Sequence, residues 1–124
     1  TTSTHDMAPI RAWWNENRET TQKYYNQILW KNGAAPQDCN SEICSQIVTN
    51  HLNSPSMLAI LPLQDWLSID DKLKRENPEE ERINIPAIAQ HYWRYRMHLS
   101  LEELLDAKEY NAHVKDMVKS SGRE

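Results

Sequence analysis

Apolar and polar positions divide the chain into helical stretches separated by polar or proline-bearing breaks. Met7, Ile10, Trp13 and Trp14 recur at helical spacing, Pro9 sits where a first turn tolerates it, and Thr4 or Asp6 could cap. A second helix is predicted from about Glu19 to Lys31, with Tyr24, Tyr25, Ile28 and Leu29 on one stripe and Asn32-Gly33 as its stop. The third, from about Asn40 to Leu52, has the strongest amphipathic pattern: Ile43, Cys44, Ile47, Val48, His51 and Leu52 share one face. Asn53-Ser54-Pro55 ends it. Ser100-Leu101-Glu102-Glu103 is a capping box that opens a last helix. Its pattern turns Leu101, Leu104 and Leu105 inward, then Tyr110, Val114, Met117 and Val118, and beyond Ser120 the chain is expected to fray.

Between the third and last helices the pattern changes. Met57-Leu58-Ala59-Ile60-Leu61 is a continuous apolar run of strand length, which predicts a strand buried on both faces. Pro62 ends it, and Leu63 to Leu67 reads as one or two helical turns. The charged stretch from Asp70 to Arg82 is expected to be a solvated excursion, and Arg82 to Met97, which contains Pro86, an ordered loop. The fold class is therefore mainly α with one buried-type β-strand. Such a strand needs partners for its backbone groups, in this chain or in another copy.

At 124 residues the chain has the size of one domain and is too short for a complete (β/α)8 barrel. Two glycines are too few for Gly-rich phosphate loops. A formal net charge of −4 argues against a nucleic-acid partner, and no apolar run is long enough for a membrane span. Two cysteines provide no disulfide framework, which makes a reducing, cytoplasmic setting the default. Cys44, on the apolar stripe of the third helix, is expected to be inert core, and Cys39 to be more exposed. No metal or cofactor is implied, since no two of the five histidines lie four apart on one helix. His51 reads as a hydrogen-bonded core histidine.

Two features could carry chemistry. Asp6, after His5, is either a helix cap or a carboxylate presented at the mouth of a site. The cluster Tyr92-Trp93-Arg94-Tyr95-Arg96, flanked by His91 and His98, is either a stacking surface or aromatics packed under arginine stems.

Taken together, four motifs in order resemble the C-terminal end of the amylomaltase family of 4-α-glucanotransferases. Thr4-His5-Asp6 matches that family's Thr-His-Asp motif at the end of a barrel strand. Ala59-Ile60-Leu61-Pro62-Leu63-Gln64-Asp65-Trp66-Leu67 is similar to a strand motif some fifty residues further on. Arg82-Ile83-Asn84-Ile85-Pro86 looks like the family's Arg-x-Asn-x-Pro turn, and Trp93 to Arg96 like its Trp-x-x-Arg element. The run from Tyr92 to Glu102 is most similar to the disproportionating-enzyme branch. Ala87 departs from the glycine usual after that turn.

The resemblance covers roughly residues 1–105, leaving 106–124 as a C-terminal helix and tail. It implies the C-terminal portion of a (β/α)8 barrel, incomplete as it stands, that joins the missing N-terminal part of the same barrel. It also implies retaining transfer of α-1,4-glucan segments between maltodextrins. That chemistry needs two carboxyl groups about 5–5.5 Å apart as nucleophile and acid/base. In the family these lie upstream of the Thr-His-Asp motif, so the isolated chain is expected to be inactive. By motif position Asp6 is a third carboxylate supporting the cation-like transition state, and His5 and Asn84 are substrate contacts. Asp65 has an adequate explanation as a cap of the short helix after Pro62. The competing expectation is a non-enzymatic helical binding or assembly module, with the strand from Met57 to Leu61 pairing between copies in a homo-oligomer. A glucan-binding surface on Tyr92 to Arg96 is a third.

Overall fold

The computed structural model describes residues 1–91 and 93–123. Its helices are α1 (Ile10–Glu16), α2 (Arg18–Gln27), α3 (Ser41–Leu52), α4 (Leu63–Leu67), α5 (Leu101–Asp106) and α6 (Lys108–Ser120), with a 3-10 turn at Pro78–Glu81. α1 packs on α2 and on the 3-10 turn, while α3 packs on α4 and α6. Trp14, Leu29, Cys44, Val48 and Leu67 are fully buried where these elements meet. Trp14 from α1 sits edge-on to Tyr25 of α2, and its indole N–H donates to the Pro36 carbonyl at 3.1 Å, which satisfies the one polar atom that burial would strand.

Local signals set most helix ends. Asn17, Asn40 and Ser100 cap α2, α3 and α5 through their side chains, and Ser100 with Glu103 forms the expected capping box. α2 stops at Gln27, short of Lys31, and Trp30 (φ 55°) enters the left-handed region before Gly33 does. The last helix is two: Ala107 leaves helical geometry (ψ 59°) between α5 and α6. That break turns Leu101 and Leu105 outward, against the expected inward face, and leaves Leu104 against the core with Val114 and Met117. Beyond Ser120 the chain closes in a Schellman motif, with Gly122 N–H on the Lys119 carbonyl and Arg123 N–H on that of Val118.

The expected buried strand is absent: no strand occurs among the described residues. Residues 57–61 are irregular, and Met57, Leu58 and Ile60 are exposed, whereas Ala59 and Leu61 lean on the core. The apolar run is therefore half-buried, not buried on both faces. The physical reason is the missing ladder, since no second strand lies beside it to pair its amides and carbonyls. Acceptors just upstream are taken instead by the Arg123 guanidinium, which donates to the carbonyls of Leu52, Ser54 and Ser56 at 2.5, 2.7 and 2.7 Å. With no strand formed, pairing between copies through this segment loses its basis. Among the described residues no helix is long and apolar enough to cross a membrane.

Candidate functional site

The segment before α1 is pinned by one carboxylate. Asp65, in α4 and fully buried, accepts from the hydroxyls of Thr2 and Ser3 at 2.5 and 3.1 Å and from Ile10 N–H at 2.8 Å. Neither Thr4 nor Asp6 caps α1. Its first amide is satisfied by an aspartate far along the chain, and Asp65 thus caps α1 and not the helix it belongs to. Burial pushes the Asp65 carboxyl above the usual aspartate range, while the bonds from Thr2, Ile10 and Ser3 act the other way.

The segment after the 3-10 turn is pinned by the adjacent residue of α4. Gln64 donates to the Glu81 carbonyl at 3.2 Å, and the Glu81 side chain pairs with Arg11 of α1 at 2.7 Å in a buried ion pair. Arg11 also donates to the carbonyls of Arg75 and Glu76 at 2.6 and 3.3 Å. Burial pushes the Glu81 carboxyl up to about 7 against the pull of Arg11, and its Oε2 is left without a partner. Consecutive residues Gln64 and Asp65 therefore fix both strips of chain that meet next.

They meet at Asp6. Asn84 Nδ2 donates to Asp6 Oδ1 at 2.7 Å, and Asn84 N–H donates to the His5 carbonyl at 3.1 Å. His5 Nε2 lies 3.3 Å from Asp6 Oδ2, and the Trp93 ring stands 4.8 Å from the His5 ring at a tilt of 41°. His5, Asp6 and Asn84, singled out separately from the sequence, form one cluster. About half of the Asp6 side chain is exposed. Ala87 does not disturb it, because among the described residues Trp30 is the one non-glycine with positive φ, so no left-handed turn is needed at 87. Beside Asp6 a cavity of about 580 Å³ runs between Met7 and Trp13 and the α3 residues Ile47 and His51. His51 hydrogen-bonds through Nδ1 to the Ile47 carbonyl at 2.9 Å, as expected, but it is half-buried and lines this cavity instead of lying in the core.

Other expectations divide. In the aromatic–basic cluster, Tyr92 lies outside the described residues; Trp93 faces the site, and the Arg75 guanidinium lies 5.8 Å over the Tyr95 ring. Both thiols are buried, and Cys39, at 4% exposure against 0% for Cys44, is the more exposed of the two, as expected. The sequence reading missed the long-range work of Asp65 and the Arg11–Glu81 pair. The Gln64-Asp65 dipeptide stood in a quoted motif, but nothing in its neighbours points to residues more than fifty positions away.

The sequence model of the family described as 4-alpha-glucanotransferase matches residues 1–102. The chain belongs to this family. It is 41% identical over 121 residues to 4-alpha-glucanotransferase DPE2 of Oryza sativa subsp. japonica, covering 98% of this chain and 13% of that protein. It is 30% identical over 122 residues to a 4-alpha-glucanotransferase of Chlamydia pneumoniae, covering 95% and 22%. With the chloroplastic/amyloplastic 4-alpha-glucanotransferase of Solanum tuberosum the identity is 28% over 127 residues, covering 98% and 19%. The chain thus spans between 13% and 22% of the length of these relatives. No solved structure matches it.

Proposed function

We propose that this chain contributes the Asp6–His5–Asn84 cluster to a longer 4-alpha-glucanotransferase that moves α-1,4-glucan segments between maltodextrins with retention. The observation that carries the reading is the 2.7 Å bond from Asn84 to Asp6, which joins two of the family-matched motifs across 78 positions of sequence. Asn84 fixes one carboxylate oxygen, His5 borders the other, and the half-exposed side chain stays open to a ligand. A carboxylate held in this way stabilises positive charge that develops on a neighbouring sugar ring, with no reorganisation at the moment of reaction. Trp93 adds an exposed aromatic ring on which the C–H face of a glucosyl unit can rest. Nucleophile and acid/base come from the remainder of the longer protein. The isolated chain accordingly gives no disproportionation of maltotriose.

The test is Asp6→Asn in the full-length protein, assayed for glucose and longer maltodextrins from maltotriose. Loss of this preorganised charge should lower kcat by about 10²–10³-fold with KM moved far less. Near-normal turnover overturns the assignment of Asp6.

A further inference from the structure

Cys39 and Cys44 are both free and both buried, and their sulfurs lie 3.4 Å apart. They occupy the position before the Asn40 cap and the fourth position of α3, where two apolar side chains commonly staple a helix entry. Here two thiols take that place. Cys39 also forms part of the wall of an open cavity of about 300 Å³, together with Arg11, Asn40 and Lys74, while Cys44 has no exposed surface. Cys39 is therefore the member of the pair that borders the cavity, and Cys44 has no surface of its own.

We propose that Cys39 and Cys44 form a reversible dithiol–disulfide modification site whose oxidant is a small organic disulfide entering by this cavity. As Cys39 attacks, the Cys39 sulfur bonds to one sulfur of the oxidant, whose S–S bond breaks; the departing sulfur takes up the Cys39 proton and leaves as a thiol. Cys44 then attacks the Cys39 sulfur and expels the second half of the oxidant, which takes up the Cys44 proton and leaves as a second thiol. The net change oxidises two cysteine thiols to one internal disulfide and reduces one small disulfide to two thiols. The hydrogen bond between the sulfurs raises the Cys39 thiol, as burial does, and lowers that of Cys44, so the two do not ionise together. Closure ties Cys39 to the stripe of α3 that carries Ile47 and His51 beside the Asp6 cavity.

The experiment incubates the native chain with bis(hydroxyethyl) disulfide, blocks remaining thiols by alkylation, and reads intact mass and peptide maps. The expected product has lost two hydrogens, carries an internal Cys39–Cys44 bond, and returns to the dithiol with a reductant. In Cys44→Ala, which keeps the buried position apolar, one hydroxyethylthio adduct should accumulate on Cys39; in Cys39→Ala, Cys44 should take up none. Two fully alkylated cysteines after oxidation overturn the proposal, as do adducts on both cysteines of the native chain or bridges between chains. If a variant does not fold, the native chain's internal bond still decides: it forms, or the proposal fails.

Discussion

Asp65 and Asp6 are the same residue in opposite situations. Asp65 is fully buried and accepts three hydrogen bonds; Asp6 is half-exposed, with one amide donor and an imidazole beside it. A buried carboxylate that accepts three hydrogen bonds from its own chain fixes structure and has no open face for a ligand. One that keeps a free face while a neighbour fixes its orientation is available for chemistry. The difference also has a direction of dependence, since Asp65 anchors the segment that presents Asp6.

The sharpest way to break this comparison is Asp65→Ala. It leaves the Ile10 amide and two hydroxyls facing an apolar void, and should cost about 3–5 kcal/mol in urea unfolding. Asp65→Asn keeps an acceptor for Ile10 N–H and should recover more than half of that loss. Equal losses in both variants would show that charge, and not the hydrogen-bond set, is what the position supplies.

The second anchor is tested by pH. Glu81 has its folded carboxyl up at about 7, against 4.5 for the free group, so between those values the folded chain holds a proton that the unfolded chain has lost. Its contribution is complete below about 4.5 and fades as pH rises through about 7, an effect of about 3 kcal/mol from a shift of this size. Relative to Glu81→Gln, which cannot titrate, the wild type should therefore lose stability between pH 5 and pH 8. A difference that stays flat, or grows in favour of the wild type, would mean that Arg11 keeps Glu81 ionised throughout.

The sequence made the local elements legible and the long-range ones not. Asn40 before a clean apolar stripe, and Ser100 with Glu103, are signals complete within a few residues, and both helices start where they indicate. Met57 to Leu61 misled because an apolar run does not state what lies beside it, and a strand exists only where a partner supplies its ladder. Leu105 misled because the pattern assumed one continuous helix, whereas Ala107 breaks it and rotates the two halves apart. In the site, His5, Asp6 and Asn84 were found through family motifs, and their meeting became visible only in three dimensions. Asp65 was read as a local cap because aspartate near a helix start usually is one; its partners lie more than fifty residues back.

The smallest expected effect completes the contrast between the two aspartates. Asp6→Ala removes a bond to Asn84 at an exposed position, where water can replace the lost partner, so stability should move by no more than about 0.5 kcal/mol. The helical circular dichroism of the chain should be unchanged, since Asp6 caps no helix. Set beside the loss expected in Asp65→Ala, this outcome would separate the carboxylate that holds the fold from the one proposed for chemistry. A destabilisation by Asp6→Ala close to that of Asp65→Ala would collapse the distinction. Asp6 would then be a second anchor of the segment before α1, and its exposure would no longer argue for a role in turnover.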